Sequence, residues 1–477
     1  MIRAARYSPW LALAALTLGT ANGAEPVRLV VDASRVERPF RAIHGVNNGP
    51  IDVGGTVDLS GGYRELGIPS VRLHDTHWPT PDVVDMHVVF PDATADPSRP
   101  QAYDFAATDE YLKAVRATGA RVVYRLGESI EHHPRKVHVH PPADPERWAA
   151  ACLGVIRHVN DGWAGGTHLA IDDWEIWNEP DNRPNQWTGS DEDYFRLYAT
   201  TARAIRREFP SLRVGGPAVG NVGTLQGGRF VPTPFVRRFL EECRRREAPL
   251  DFFSWHLYTP DPEAFGAMAR AIRDMLDRLG FARTSISLTE WNYLPDGRWA
   301  EFQPSGQGLA RERFFDRIGG AEGATFALAS LLAMQDAPID TAHYYAGDTN
   351  PFGLYTLHAV PKKTHRAYRA FRELIRHPSR LACSGGVPSH VAIAASSRED
   401  RDEIVVLVAN LDARGTPAAL RVDGLAWGDR AGAVVRMLDS SHDFDAPSAP
   451  VRLDKGSITL ELPASSIAWM TIAPMGR

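Results

Sequence analysis

The chain has 477 residues, 44% of them hydrophobic and 23% charged, with a formal net charge of −5. This is the composition of a folded globular protein larger than one average domain, and so mild a charge excludes bulk attraction to nucleic acid or to an anionic membrane. The three cysteines, Cys152, Cys243 and Cys383, include no CxxC pair, which excludes a disulfide framework and a thiolate metal site.

Residues 1–23 read as an export signal. Arg3 and Arg6 supply a basic start, Trp10 to Leu18 an apolar run too short to span a bilayer, and Ala21-Asn22-Gly23 a small-residue cleavage site. The expected destination is secreted or periplasmic, and no second long apolar run suggests a membrane anchor. In residues 24–40, the stretch Pro26 to Asp32 alternates like a strand but precedes the main pattern. It is expected to join the sheet formed at the far end of the chain.

Over residues 41–378, strand-like runs alternate with amphipathic helices. The strands are expected at Ala42–Val46, Ser70–His74, Arg121–Leu126, Asp172–Trp177, Leu212–Gly216, Phe252–Leu257, Ser285–Glu290 and Thr341–Tyr345. Ser190, followed by three acids, caps a helix running to Pro210, and Thr108 is expected to cap another that closes near Gly119. Eight strands with helices between them imply a (β/α)8 TIM barrel, whose functional site lies where strand C-termini open into loops. Residues 379–477 instead give short strands spaced by Gly, Pro, Asp and Ser turns, the pattern of an antiparallel β-sandwich domain. The fold class is therefore α/β, a barrel with a C-terminal sandwich.

Two strand ends carry glutamates in like settings. Trp174-Glu175-Ile176-Trp177-Asn178-Glu179-Pro180 places Glu179 at the end of strand four, and Pro180 is expected to keep it extended. Ser285 to Asn292 places Glu290 at the end of strand seven, followed by Trp291. Paired carboxylates on two strand ends are what glycoside hydrolysis requires. Polar and aromatic residues also gather at the same rim: Arg72 and His74 on strand two, Glu128 after strand three, Asn178 on strand four, His256 and Tyr258 on strand six, and Tyr345 on strand eight. Aromatic faces and convergent hydrogen-bonding groups suit a sugar. The alternative for Arg72, His256 and Tyr258 is a buried network that only supports barrel packing.

With Asn178-Glu179-Pro180, Thr289-Glu290-Trp291-Asn292 and His256-x-Tyr258, the chain resembles glycoside hydrolase family 39, of the β-xylosidases and α-L-iduronidases. The resemblance implies a retaining mechanism without cofactor. It makes Glu179 the general acid/base, Glu290 the nucleophile, and Asn178 the partner of the sugar 2-hydroxyl. It also gives Tyr258 and Arg72 the task of holding Glu290 ionised. His74, Glu128, Trp291 and Tyr345 are further expected substrate contacts, with pairing to Arg125 the alternative for Glu128. The partner is then a carbohydrate, an oligo- or polysaccharide. A transglycosylase or a non-catalytic glycan-binding protein on the same scaffold is the rival reading. His132, His133, His138 and His140 lie in a loop after strand three, which is expected to contact sugar, or else solvent, rather than hold zinc. The long segment Thr76–Ala107 is expected to wall the site, with Trp78, Phe90 and Tyr103 available for stacking or for the core.

Overall fold

The computed structural model of the protein describes residues 25–52, 54–76, 82–301 and 306–475. The segment read as an export signal lies outside them, as does Trp78. Among the described residues, no helix is long and apolar enough to cross a membrane.

Eight parallel strands close into a barrel: Gly45–Asn47, Ser70–Leu73, Arg121–Leu126, Asp173–Ile176, Arg213–Val219, Phe252–Thr259, Ser285–Tyr293 and Thr341–Tyr344, numbered one to eight below. Strand eight returns to strand one through the pairs His343↔Gly45 and Tyr344↔Val46, which leaves the barrel without an edge. Strand three (RVVYRL) shows why such runs become strands here. Apart from Arg121 it is buried, because helices cover one face and the barrel interior the other. Each Val, Leu or Ile so buried contributes about 1.5–3 kcal/mol.

The helix Asp191–Glu208 starts at Ser190 with a reciprocal capping box to Asp193, the polar start that its sequence implies. Thr108 does not cap its helix. That helix begins at Ala106 behind Phe105, and the Thr108 hydroxyl donates instead to the Val83 carbonyl at 2.6 Å, tying the helix to the loop after strand two.

Apart from two small two-stranded sheets, the remaining strands form one nine-stranded sheet, in the order Val451–Arg452, Ala431–Leu438, Ser466–Pro474, Ile404–Asn410, Val391–Ser397, Ser379–Ser384, Val27–Val36, Thr416–Asp423 and Ser457–Leu462. Pairing is antiparallel except where Val27–Val36 lies parallel to Thr416–Asp423. Ser379–Ser384 is a strand that the sequence hides, since its polar, short side chains give no apolar alternation.

The two faces of Ile404–Asn410 divide the molecule. Ile404, Val406 and Val408 join the sheet's own core, whereas Val405, Leu407 and Ala409 pack with the barrel core. The helices Ala321–Ala333 and Lys363–Arg376 lie against this second face. All seven residues of the strand are buried, because both faces are covered.

Candidate active site

Strand four delivers three polar groups in succession. Glu175, within the strand, is wholly buried and accepts the Arg72 Nε–H at 2.6 Å. Beyond it the chain leaves the extended region: Trp177 has φ 71° and Glu179 φ 42°. The extended Glu179 expected from Pro180 is therefore not what forms. Two left-handed residues flank Asn178 and turn the chain out of the sheet. Such positions cost about 1–3 kcal/mol each and persist only where surrounding contacts enforce them. Here the Trp177 N–H is held by the Leu126 carbonyl at 2.6 Å and the Glu179 N–H by the Ala218 carbonyl at 2.9 Å. The Trp177 indole N–H donates to the Gln186 carbonyl, and its ring packs edge-on against Trp187. The Glu179 carboxylate then stands with Oε1 2.8 Å from His256 Nδ1 and with Oε2 accepting from Asn182 Nδ2 at 2.8 Å.

Strand seven is re-aimed by one extra residue. Trp255 of strand six pairs with Leu288, but the next residue, His256, pairs with Glu290, so Thr289 is a bulge. Strict alternation would place Glu290 on the same side as Leu288, against the helices. The bulge turns Glu290 inward and sends Trp291 outward instead, where it is fully buried and edge-on to Phe265 and Tyr344. Glu290 Oε1 accepts from Arg72 Nη1 and Oε2 from the Tyr258 hydroxyl, both at 2.9 Å.

Arg72 is the hub between the two strands. Besides Glu175 and Glu290, it donates to Asn47 Oδ1 at 3.0 Å and to Asn178 Oδ1 at 2.6 Å. Because arginine only donates, the Asn178 oxygen must face it, and Asn178 Nδ2 is left to donate to His74 Nε2 at 3.0 Å. Glu179, His256 and Glu290 each offer one ligand atom, and these three atoms all lie within 4.8 Å of one another.

Burial raises both glutamate pKa values. For Glu290 it is opposed by His256 and Arg72 and reinforced by Glu179 and Asp75, and for Glu179 it is opposed by the Asn182 hydrogen bond and by Arg72. His74 and His256 are pushed down by burial, which keeps both rings neutral. With a carboxylate oxygen on either side, at 2.8 and 3.6 Å, the His256 proton sits on Nδ1. General acid and nucleophilic catalysis need one such carboxyl protonated and the other ionised, and the donors on Glu290, Arg72 and the Tyr258 hydroxyl, favour its ionised form.

The structure brings Arg72, His74, Asn178, Glu179, His256, Tyr258 and Glu290 together, and Tyr345 joins them through Asp75, to which its hydroxyl donates at 3.0 Å. Two expected contacts fall elsewhere. Trp291 belongs to the wall of the barrel, for the reason given by the bulge. Glu128 stands apart from the Arg72 network. It accepts from the His87 amide at 3.2 Å, lies 2.5 Å from His87 Nδ1, and is pushed up to about 7 by burial. Arg125 pairs with Asp85 rather than with Glu128.

The four histidines of the loop after strand three do not converge. His138 stacks on His87 at 3.7 Å, while His140 contacts the Thr188 hydroxyl and the Lys136 carbonyl. Among the described residues, the groupings with metal-ligand spacing are Asp85, His87 and Glu128, and Glu179, His256 and Glu290. In the first, Asp85 already takes Arg125 and the Ser129 amide and hydroxyl. Phe90 and Tyr103 pack on each other and on the core rather than at the site.

Glu175, Asn182, Trp299 and Phe352 were not legible as site residues, whereas Asn47 was legible at the rim, where strand one ends. Glu175 carried a usable signal, since a charge inside an otherwise apolar buried strand must be paired. Trp299 and Phe352, which stand edge-on to Tyr258 at 5.0 and 6.4 Å, lie in loops whose course no local pattern fixes.

A sequence model described as "Glycosyl hydrolases family 39" matches residues 58–442. A β-xylosidase of Geobacillus stearothermophilus is 28% identical over 258 residues, which is 50% of this chain and 48% of that protein. One of Caldicellulosiruptor saccharolyticus is 25% identical over 328 residues, 63% of this chain and 58% of that protein. The chain thus spans about half to three-fifths of the length of these relatives. A glucosidase from Croceicoccus marinus superposes with a TM-score of 0.76 at 25% identity, covering 95% of this chain and all of that one. A GH39 enzyme from Xanthomonas axonopodis pv. citri shares the fold, with a TM-score of 0.69 at 18% identity and coverage of 96% and 100%.

Proposed function

The chain belongs to glycosyl hydrolase family 39, and from that premise we propose that it is a glycoside hydrolase of β-xylosidase type, working by double displacement with Glu179 and Glu290. The observation that carries the mechanism is the spacing of less than 4.8 Å between a carboxylate oxygen of each glutamate. Retaining enzymes hold their carboxyl groups about 5–5.5 Å apart, whereas inverting enzymes leave about 6.5–9.5 Å for a water.

In this reading Glu290, steadied by Arg72 and Tyr258, attacks the anomeric carbon and forms a glycosyl-enzyme. Glu179, buried and protonated, gives its proton to the leaving oxygen as the glycosidic bond breaks. It then takes a proton from the water that opens the glycosyl-enzyme with net retention. Asn178, whose orientation by Arg72 and His74 supports this reading, bonds the sugar 2-hydroxyl. The chemistry needs no metal or cofactor. The names of the two curated relatives support a β-D-xyloside as the first substrate to try. The basic and apolar start of residues 1–23 supports export as part of the same reading.

The test is azide rescue of two variants acting on dinitrophenyl β-D-xylopyranoside, with each product's configuration read by NMR. In Glu179→Ala the first step survives on so good a leaving group, the intermediate accumulates, and azide yields a retained glycosyl azide. In Glu290→Ala, azide enters from the vacated face and gives the inverted product. The reverse stereochemistry would exchange the two roles, and wild-type turnover by either variant would remove that glutamate from catalysis.

A further inference from the structure

A third carboxylate stands beside the two glutamates. Asp75, two residues beyond strand two, holds φ 51°, a conformation that side-chain-bearing residues rarely adopt. Its side chain is 13% exposed. Oδ1 accepts from the Ile130 amide at 3.1 Å, and Oδ2 accepts from the Tyr345 hydroxyl at 3.0 Å. His74 Nε2 lies 3.3 Å from Asp75 Oδ2 and 3.7 Å from Glu290 Oε1, so one imidazole edge separates Asp75 from the proposed nucleophile.

That imidazole edge offers Asp75 no donor. His74 Nε2 already accepts from Asn178 and the ring is neutral, so Nε2 carries no proton to give Asp75. The partners bonded to Asp75 are therefore a backbone amide and a phenol, both neutral. Each carboxylate oxygen has two acceptor positions, and only one on each is used. On this side of the site, Asp75 Oδ2 and Glu290 Oε1 lie to either side of a His74 Nε2 that has no proton to donate. A ligand that satisfies them must bring donors.

The structural alternative is that Asp75 merely ties the loops after strands two, three and eight. An asparagine could hold the same two partners, its oxygen accepting from the Ile130 amide and its Nδ2 donating to the Tyr345 oxygen; it is among the residues most at ease with positive φ and would not add a negative charge beside Glu179 and Glu290. The tie does not account for the charge.

Resting on the reading of a retaining glycosidase, the geometry points to Asp75 as a specificity-determining residue that grips hydroxyl groups on the far side of the ring in the cleaved sugar. Through it the site selects a neutral glycoside over a uronide. A sugar hydroxyl donates to a free Asp75 lone pair, and the charge makes that bond stronger than one to an amide. A uronate carboxylate brings acceptors and like charge to a place already rich in both. Arg72, the cation bonded to Glu290, has each of its nitrogens engaged and offers a uronate little compensation.

The test is a cycle between enzyme and substrate. Wild type, Asp75→Asn and Asp75→Gly, all compatible with the backbone, are assayed on p-nitrophenyl β-D-xylopyranoside, its 3-deoxy and 4-deoxy analogues, and p-nitrophenyl β-D-glucuronide. On the parent xyloside, kcat/KM should fall about 10- to 100-fold in both variants, the range of a hydrogen bond to a charged group. At least one deoxy analogue should lose a similar factor with the wild type and lose far less with Asp75→Gly. The glucuronide-to-xyloside ratio should rise in Asp75→Asn. Equal deoxy penalties in wild type and Asp75→Gly, with an unchanged ratio, would overturn the assignment while leaving the glycosidase reading intact. A wild type inert on every aryl glycoside would instead count against the glycosidase reading.

Discussion

Asn182 Nδ2 donates to Glu179 Oε2 at 2.8 Å, a bond between a residue of the loop after strand four and the proposed acid. It favours the ionised carboxylate and opposes the burial that raises the Glu179 pKa. Its removal leaves burial less opposed, so the Glu179 pKa rises further. On the proposed roles, the alkaline limb of the pH profile of kcat/KM reports loss of the Glu179 proton and the acid limb protonation of Glu290. Asn182→Ala should therefore move the alkaline limb to higher pH and leave the acid limb in place. An alkaline limb that stays put or moves down would show that Glu179 is not the group titrating there.

Gly220 leaves room for that same carboxylate. A Cβ at this position would stand 2.8 Å from Glu179 Oε1 and 3.0 Å from its carboxyl carbon. Gly220→Ala should displace the acid without touching the core, and a misplacement on the order of 1 Å costs about 100-fold in rate. The expected result is a fall of 10- to 100-fold in kcat on poor leaving groups, a smaller fall on dinitrophenyl glycosides, and a melting temperature close to the wild type. Equal losses on both leaving groups would point to a different defect.

Glu175 and Arg72 form a wholly buried pair at 2.6 Å, with the arginine also committed to Glu290 and Asn178. Removing one member of such a pair leaves charge uncompensated and costs about 3–5 kcal/mol. Glu175→Leu should show a loss of that size in urea unfolding, while Glu175→Gln, which keeps an acceptor for the Arg72 Nε–H, should lose less. A stable Glu175→Leu protein would mean that Glu290 alone suffices to hold Arg72.

Removal of the chain after residue 380 would take away nearly the whole nine-stranded sheet. It would uncover the outer faces of helices Ala321–Ala333 and Lys363–Arg376 and leave Val27–Val36 without either neighbouring strand. We expect the truncated protein to be insoluble on expression. A soluble barrel with wild-type kcat would show the sheet to be dispensable.

The barrel was legible because each of its strands is a short apolar run bounded by turns, and all eight lie where those runs do. That Glu179 and Glu290 meet at the strand ends was legible from Asn178-Glu179-Pro180 and from a glutamate followed by Trp291. The side each residue faces was not. Trp291 was misplaced because a bulge at Thr289 shifts the alternation by one, and nothing in Ser285 to Asn292 announces an extra residue. The backbone of Glu179 was misjudged because Pro180 speaks only for a local preference, while the carbonyl of Ala218, a partner distant in sequence, overrides it. Glu128 could be placed at the rim but not matched to His87, since their approach depends on how the loop after strand two folds back.

Val27–Val36 pairs on one side with Ser379–Ser384 and on the other with Thr416–Asp423. During synthesis it is made long before either of these neighbours. At about 5–20 residues per second, the ribosome needs on the order of tens of seconds to pass from residue 36 to residue 379. Throughout that interval a ten-residue strand with Leu29 and Val31 on its buried side has no place to dock. Closing so long a loop makes this pairing intrinsically slow. The nascent chain therefore carries an open β-edge until Ser379–Ser384 and Thr416–Asp423 have been made, a template on which other chains can pair in that interval.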